Sequence, residues 1–238
     1  MAIDIILNGA NGKMGKVLKS YLTTQNKHHD LRLVSAISSG DSFNQMIKNT
    51  PSGVVVVDFT TPSSVFENTQ KIIASGAHPV IGTTGLIPAQ VEMLKKQCEE
   101  KKIGGVMAPN FSLSAVLMMR YASDAIKYLP HAEIIEMHHI QKKDAPSGTA
   151  LQTASRMREA LSTKCSNNIS NKSRNFPIHS VRLPSLLAHQ SVILSGENET
   201  LTLRSDIMNR ESFIPGILLA CRKAVALDHL VYGLENIL

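Results

Sequence analysis

The feature that most constrains the fold is the beginning of the chain, where a short apolar run, a glycine-rich turn and an amphipathic helix follow one another. Residues 2–7 form the apolar run, and Gly9, Gly12 and Gly15 punctuate the turn. Helical spacing then aligns one apolar face, made up of Met14, Val17, Leu18, Tyr21 and Leu22. This order predicts the first unit of a dinucleotide-binding fold, in which a pyrophosphate lies against the helix N-terminus.

The glycine pattern by itself is weaker evidence than its context. Its order is G-x-x-G-x-x-G, whereas the usual fingerprint is G-x-G-x-x-G, and a glycine-rich turn in some other α/β protein is the ordinary alternative. The position between a strand and a helix favours cofactor binding. The candidate cofactor-binding residues of this turn are Gly9, Ala10, Asn11, Gly12, Lys13 and Met14.

Apolar runs and helical segments continue to alternate up to residue 109. The runs that we predict to be strands cover residues 31–37, 53–59, 78–81 and 103–107. The second of these, GVVVVDF, is typical of a strand buried in a parallel sheet. Thr60–Ser63 are predicted to cap a helix that ends near Ser75. The alternation predicts an α/β fold with a Rossmann-like parallel sheet.

Two loops follow predicted strands, at the edge of the sheet where ligands bind in such folds. They are Gly82-Thr83-Thr84-Gly85 and Ala108-Pro109-Asn110-Phe111. From the residues alone, cofactor binding and ordinary turn chemistry, with Ser112 as a helix N-cap, explain these loops about equally well.

The end of the second predicted strand lacks a residue that is common in such folds. An acidic side chain usually binds the adenine ribose about 20 residues after the glycine turn. This chain has Ser38-Ser39-Gly40 there, and Asp41 comes only afterwards. Ser38 is therefore a candidate cofactor-binding residue, and no carboxylate is expected to repel a 2′-phosphate.

The alternation changes from Asn110 onwards, which predicts a second domain. Helices are expected over residues 112–128 and 147–161, and a hairpin is expected around Gly196-Glu197-Asn198, with strands at 191–195 and 199–205. The polar residues 162–175 are predicted to form a mobile surface loop. We therefore predict a dinucleotide-binding domain of residues 1–109 and about 212–238. Residues 110–211 should form an α+β substrate-binding and oligomerisation domain on a mixed or antiparallel sheet, and a last helix, 211–227, returns to the first.

The stretch Glu133–Ala150, EIIEMHHIQKKDAPSGTA, combines groups that no structural segment needs together. Its first five residues show the alternation of a half-buried strand. If this strand continues, His138 and His139 point to opposite faces. Lys142 and Lys143 follow in a loop. Titratable donors of this kind suit proton transfer or the binding of an anion.

A predicted helix begins directly after that loop. Ser147, Gly148 and Thr149 offer hydroxyl groups, room for close approach and the unpaired N–H groups of a helix start, which together suit a carboxylate. A capped helix after a solvated basic loop is the ordinary alternative.

Composition narrows the classes of function. Of the 238 residues, 43% are hydrophobic, yet no apolar run approaches a membrane span and the start lacks the features of a signal peptide, so we expect a cytoplasmic protein without membrane segments. Three scattered cysteines predict neither disulfides nor a metal site. The net charge of +6 is spread along the chain, and a small anionic substrate with a phosphate-bearing cofactor explains it without nucleic acid.

The segment HHIQKKDAPSGTA resembles the His-His-x-x-Lys-x-Asp-Ala-Pro-Ser-Gly-Thr-Ala signature of the dihydrodipicolinate reductases, the 4-hydroxy-tetrahydrodipicolinate reductases of bacterial and plant lysine biosynthesis. The two loops at 82–85 and 108–111 also resemble family segments that line the nicotinamide. Asn209–Phe213 with Gly216 resembles Ser-Arg-x-x-Phe-x-x-Gly, with Asn replacing Ser. Around Arg182 two glycines of the family pattern are absent, which puts a substrate contact by Arg182 in doubt.

The resemblance implies an NADPH- or NADH-dependent reduction of 4-hydroxy-tetrahydrodipicolinate, a small dicarboxylate, in the diaminopimelate route. His138 would be the proton donor or acceptor and Lys142 the second proton donor, for which Lys142 needs a lowered pKa. His139, Gly148 and Thr149, with the Ser147 hydroxyl, would bind substrate. The family also implies a cytoplasmic homotetramer joined through the sheet of the second domain.

Two other interpretations compete with this one. Another two-domain dehydrogenase or reductase, acting on an amino acid or a sugar derivative, would share the glycine turn but not the signature. A catalytically idle cofactor-binding regulator is suggested by the altered Arg182 segment, but it should have lost His138 or Lys142. Both residues are present.

Overall fold

The computed structural model describes residues 2–24, 30–38, 40–164 and 175–238. Two compact units are present, one of Met1–Phe111 with Phe213–Leu238 and the other of Ser112–Ser212. Most of the predicted mobile loop, together with Cys165 and Ser39, lies outside the described residues. No helix in the described ranges has the length and apolar character that crossing a membrane requires.

The first unit contains a six-stranded sheet in the order β10-β5-β4-β3-β1-β2, in which every described pair is parallel. Its strands are β1 (Ile3–Asn8), β2 (Leu31–Ile37), β3 (Val55–Asp58), β4 (His78–Ile81), β5 (Gly105–Met107) and β10 (Leu230–Tyr232). The prediction of a Rossmann-like parallel sheet is confirmed. The chain reverses direction across the sheet beside β1, which is the point where ligands bind in such folds.

The helices of this unit are α1 (Lys13–Thr24), α2 (Gly40–Ile47), α3 (Val65–Ala74), α4 (Pro88–Lys101) and α7 (Ile214–Ala224). The predicted apolar face of α1 is confirmed, since Leu18 and Leu22 are buried and its other members are half-buried. The sequence did not lead us to predict α2, α4 or β10.

Two helix starts differ from prediction. Ser64, not Thr60–Ser63, is the N-cap of α3, because the Thr61 carbonyl already accepts the N–H groups of Ser64 and Val65, both at 3.1 Å. The last helix begins at Ile214 rather than residue 211, because Arg210–Phe213 form a 3₁₀ turn before it. Pro215, in the first turn of α7, lacks an N–H group and is tolerated only near a helix start.

The second unit contains a four-stranded sheet in the order β7-β6-β8-β9. Its strands are β6 (His131–His138), β7 (Ile178–Arg182), β8 (Ala188–Ser195) and β9 (Thr200–Ile207). The β6–β7 pair is parallel and the others are antiparallel, so the sheet is mixed. The β8–β9 hairpin is confirmed, with both strands longer than predicted.

Two helices, α5 (Leu113–Ala125) and α6 (Gly148–Lys164), pack against this sheet. Ser112 is the N-cap of α5, and its Oγ accepts the N–H of Ala115 at 3.3 Å. The strand face under the helices carries Ile134 and Glu136 of β6, which are buried, whereas Glu133 on the opposite face is exposed. The signature segment therefore starts on the covered face of β6 and ends in α6.

Candidate active site

The glycine turn of the first unit is closely packed. Gly9 has a positive φ of 86°, and the N–H groups of Gly9 and Ala10 both donate to the Ile37 carbonyl, at 2.9 and 2.8 Å. A Cβ added at Gly15 would lie 2.1 Å from the Gly9 carbonyl oxygen. Close contact between turn and helix therefore requires glycine at both positions, and it leaves the start of α1 facing the carboxyl edge of the sheet.

A buried carboxylate organises that edge. Asp58, at the end of β3, is fully buried, and its Oδ2 accepts hydrogen bonds from Asn8 Nδ2 at 2.9 Å and Asn68 Nδ2 at 3.1 Å. Its Oδ1 accepts the Thr60 N–H at 3.0 Å, the Thr60 hydroxyl at 2.6 Å and the Thr83 hydroxyl at 3.0 Å. Asp58 was not predicted as a site residue, although a lone acid near the end of an apolar run was the available signal in the sequence.

Thr83 belongs to the first of the two predicted cofactor loops, and the structure brings this loop next to the glycine turn. A cavity of about 250 Å³ is lined by Met14, Phe59, Thr60, Pro62, Gly82, Thr83 and Thr84. A Cβ at Gly82 would lie 2.1 Å from the Phe59 ring, which itself stacks edge-to-face on Phe111 at 6.1 Å. Phe59 was not predicted as a site residue, because it belongs to a continuous apolar run that indicates only a buried strand.

The second loop joins the first in a smaller cavity of about 60 Å³, which is lined by Thr83, Thr84, Gly85, Leu86, Met107, Ala108, Pro109 and Tyr232. Gly216 of α7 packs against Phe111 so closely that a Cβ there would lie 2.1 Å from the Phe111 carbonyl oxygen. The two cavities share Thr83 and Thr84, so residues of both loops lie near Met14 of the glycine turn. Ser38 is exposed at the end of β2, and no side chain of residues 39–42 is described.

The second unit holds another buried carboxylate, Glu136 of β6, which is 0% exposed. Arg182 binds it through both terminal nitrogens, with Nη2 at 2.6 Å from Oε1 and Nη1 at 3.0 Å from Oε2. His138 Nδ1 lies 2.5 Å from Oε2, and the Ser147 N–H donates to Oε1 at 3.3 Å. Arg182 is thus an internal partner of Glu136, which explains this arginine without a substrate contact.

These contacts shift the pKa values of Glu136 and His138. Burial raises the pKa of the Glu136 carboxyl, but hydrogen bonds from Arg182 and Ser180, and then from His138, hold the pKa below its usual value. Burial also dominates at His138 and lowers the pKa of its imidazole, although Glu136 opposes the change. The positive charges of Lys142 and Arg182 lower it further. Near neutral pH the imidazole is therefore uncharged and the carboxylate is charged.

The loop after β6 carries the other predicted catalytic group. Lys142 Nζ donates to Asp144 Oδ1 at 2.8 Å, with 22% of the lysine side chain exposed. This ion pair holds the pKa of the Asp144 carboxyl below its usual value. The sequence did not lead us to predict this carboxylate partner of Lys142.

His139 lies just beyond the end of β6. Its Nδ1 is buried and has no hydrogen-bond partner among the described residues. A buried polar atom without a partner is uncommon in proteins, and it points to a group that binds there. The predicted substrate-binding role of His139 is consistent with this geometry.

The start of α6 is arranged as an anion site, although one protein carboxylate already uses part of it. The Ser147 N–H is taken by Glu136, and the Ser147 hydroxyl accepts the Ala150 N–H at 3.3 Å. In the described part of the chain, the N–H groups of Gly148 and Thr149 have no acceptor. A Cβ at Gly148 would meet no atom within 4 Å, so the space beside this helix start is open.

The chemistry available is therefore binding of a dinucleotide on the first unit and proton transfer beside an anion site on the second. Within the described ranges, no group of three histidine, cysteine, aspartate or glutamate side chains could hold a metal ion.

Comparisons with known proteins agree on one family. The model described as "Dihydrodipicolinate reductase, N-terminus" matches residues 3–111, and the one described as "Dihydrodipicolinate reductase, C-terminus" matches residues 114–238. A protein named 4-hydroxy-tetrahydrodipicolinate reductase from Coxiella burnetii (strain RSA 493 / Nine Mile phase I) is 54% identical, with 100% of both chains covered. A protein of the same name from Legionella pneumophila (strain Philadelphia 1) is 46% identical, again over 100% of both chains.

A solved structure leads to the same family. The dipicolinate-bound dihydrodipicolinate reductase from Paenisporosarcina sp. TG-14 is 36% identical to this chain and superposes with a TM-score of 0.83 over 100% of both chains. Full-length identity, both family models and the fold confirm the resemblance seen in the signature. The chain belongs to the dihydrodipicolinate reductase family.

Proposed function

We propose that this chain is a 4-hydroxy-tetrahydrodipicolinate reductase, an oxidoreductase that uses NADH or NADPH in the diaminopimelate route of lysine biosynthesis. Its product would be tetrahydrodipicolinate. The observation that carries the proposal is the complete signature His138–Ala150 in a member of this family, with His138 held by a buried carboxylate and Lys142 in the adjoining loop.

The first unit, with the predicted boundaries 1–109 and about 212–238, would bind the cofactor. The glycine turn and the start of α1 suit its pyrophosphate, because the turn approaches closely and the helix N-terminus favours an anion. Gly82, Thr83, Thr84 and the loop Ala108–Phe111 would surround the nicotinamide. When bound, the cofactor supplies the hydride. Asp58 holds the Thr83 hydroxyl in place by the hydrogen bond at 3.0 Å.

The second unit, predicted as residues 110–211, would bind the dicarboxylate. Within the described ranges, the N–H groups of Gly148 and Thr149 and the Nδ1 of His139 have no partner, and together with the Ser147 hydroxyl they are suited to its carboxylates. Because the space at Gly148 is open, a carboxylate oxygen can approach the helix start directly.

His138 and Lys142 would transfer the protons. His138 faces Glu136 with Nδ1, so its Nε2 is the atom that would exchange a proton with the substrate. Lys142 would deliver the second proton, and the Asp144 carboxylate orients its ammonium group. General acid–base catalysis by positioned groups of this kind contributes about 10²–10⁴ in rate.

We also propose that both cofactors are used. Ser38 is exposed where an acid would normally repel a 2′-phosphate, and Lys13 begins α1 beside the pyrophosphate position. The sequence places no arginine directly after β2, so selectivity should be weak. NADPH should be favoured by about 1 kcal/mol, the size of one net hydrogen bond, which comparison of kcat/KM for the two cofactors measures. A tenfold preference for NADH would contradict this part of the proposal.

We also propose a cellular location and an oligomeric state for this enzyme. A biosynthetic reductase that draws on the NAD(P)H pool should work in the cytoplasm, and its small-molecule substrate requires neither nucleic acid nor membrane. The mixed sheet of the second unit should join four copies of the chain into a homotetramer.

One assay tests the function directly. Purified protein should oxidise NADPH or NADH only when the condensation product of pyruvate and aspartate semialdehyde is generated in the same cuvette by its synthase. Omission of the synthase is the control. Cofactor binding without turnover in the complete mixture would favour the regulator interpretation instead.

A further inference from the structure

Glu136 occupies a buried position where a charged side chain is energetically unfavourable. It lies two residues before the end of β6, on the face that α6 covers, and none of its surface is exposed. Removing a carboxylate from water is strongly unfavourable unless its partners compensate, and apolar residues often replace buried ion pairs without loss of stability. Packing alone therefore gives no reason for an acid here.

The partners of Glu136 come from three separate segments of the chain. Arg182 from β7 binds both carboxylate oxygens, at 2.6 and 3.0 Å. His138, two residues along the same strand, contacts Oε2 at 2.5 Å, and the N–H of Ser147 at the start of α6 reaches Oε1 at 3.3 Å. One side chain thus connects two strands, a helix start and an imidazole.

The contact with His138 selects one form of its ring. A carboxylate accepts hydrogen bonds and donates none, so the neutral imidazole must carry its proton on Nδ1. Its lone pair is then on Nε2. Since a carboxylate also fixes the ring plane, Nε2 keeps one direction.

A second chain of contacts leads from Glu136 to Lys142. Arg182 Nη2, which binds Glu136, also donates to the Asp144 carbonyl oxygen at 2.9 Å. The Asp144 carboxylate in turn accepts from Lys142 Nζ at 2.8 Å. The loop that carries Lys142 is therefore anchored to the same buried carboxylate.

We infer that Glu136 is the positioning residue of this site: it holds His138 with Nε2 as the proton-exchanging atom and, through Arg182 and Asp144, fixes the loop of Lys142. The inference rests on the proposed function, which makes His138 and Lys142 the proton-transfer groups. It adds a residue that is fully buried and lies outside the signature itself.

The first test compares two substitutions on one strand. Glu136→Gln keeps the shape of the side chain but removes its charge. Glu133→Gln instead changes an exposed glutamate on the opposite face, whose carboxylate lies 2.8 Å from His179 Nε2. Glu136→Gln should lower kcat by roughly 10²-fold with little change in the dissociation constant for NADPH. Its kcat–pH profile should also move to lower pH, because the imidazolium of His138 loses its carboxylate partner. Glu133→Gln should match the wild type.

Glu136→Asp gives a graded control, since it keeps the charge on a shorter side chain and should recover part of the lost kcat. A Glu136→Gln protein with wild-type kcat and an unchanged pH profile would overturn the inference. If the wild type itself shows no reductase activity, the proposed function fails, and that result is distinct from the failure of Glu136 to position His138.

The second test needs neither turnover nor a stable variant of Glu136. In ¹⁵N-histidine-labelled wild-type protein at neutral pH, the His138 ring should show its proton on Nδ1, with the signals assigned by their loss in His138→Gln. A neutral ring that carries its proton on Nε2 would overturn the inference. If Glu136→Gln does not fold, this measurement decides alone.

Discussion

Lys142 and Lys143 are neighbours in sequence but differ in surroundings. Lys142 is partly buried and paired with Asp144, whereas Lys143 is exposed. If Lys142 donates a proton in the transition state, Lys142→Met should lower kcat by about 10²–10⁴. Lys143→Met is the matched control and should leave kcat close to that of the wild type. A Lys142→Met effect confined to KM would instead make this lysine a clamp for a substrate carboxylate.

The Glu136–His138 pair also predicts how stability depends on pH. The pKa of His138 is lowered in the folded chain, so its contribution is complete above about pH 6.5 and is lost as pH falls through the folded value. The pKa of Glu136 is lowered as well, and its contribution is lost only further down, below about pH 4.3. The free energy of unfolding should therefore decrease in two steps on acidification.

Urea unfolding at a series of pH values between 7.5 and 3.5 measures these steps. His138→Gln should reduce the first step, because the group that takes up the proton on unfolding is gone. Equal slopes for wild type and variant between pH 7 and 5 would show that His138 does not titrate in the way its environment indicates.

Single residues also mark the limit of what the sequence can predict. His138, Lys142 and Gly148 were identified because their residue types carry chemistry and stand in a dense motif. Glu136 was not identified, because the alternation that predicts a half-buried strand does not say which polar residue has a partner inside. Arg182, from a strand far along the chain, provides that partner. Asp58 was not predicted for the same reason, since its hydrogen-bond donors come from four separate positions of the chain.

Secondary structure was predictable where packing within one segment determines it. The bounds of β2 and β4 match the prediction, and the face of α1 follows its helical spacing. The starts of α3 and α7 were wrong because backbone turns before each helix, at Thr61–Ser64 and Arg210–Phe213, leave little trace in composition. The short edge strand β10 depends on pairing with β5, a contact that local pattern does not reveal.

At the start of α6, a single substitution can separate an effect on stability from an effect on substrate binding. Gly148 is the first residue of this helix, and a Cβ there would meet no atom within 4 Å. Since alanine forms helices better than glycine by up to about 1 kcal/mol, Gly148→Ala should leave the thermal midpoint unchanged or slightly raised. If a substrate carboxylate approaches this position, the methyl group should raise KM for the substrate about tenfold, equivalent to 1.4 kcal/mol.

Gly15→Ala, the same change in the glycine turn, should instead affect the stability of the fold. The added Cβ would lie 2.1 Å from the Gly9 carbonyl oxygen, so this variant should be destabilised. An unchanged KM in Gly148→Ala would exclude a carboxylate at the start of α6.

The proposed homotetramer would assemble through the second face of the mixed sheet. Both α5 and α6 pack on one face, and no helix of the described residues covers the other. That other face has a half-buried apolar centre of Ile135, Met137, Val181 and Ile193. Contiguous apolar surface of this kind usually contacts another chain, and four chains of 25.9 kDa would give a particle of about four times that mass.

Light scattering on the eluting protein should therefore show a tetramer at micromolar concentration. Ile193→Lys places a charge at the apolar centre, where burial without a partner is costly, and should yield smaller species. Val34→Lys is the control. Val34 is an apolar strand residue as well, with 47% of its surface exposed, but it lies in the first unit, so its variant should stay tetrameric. A wild-type particle of single-chain mass would refute assembly through this sheet, and dissociation by both variants would show that added charge rather than the sheet face is responsible.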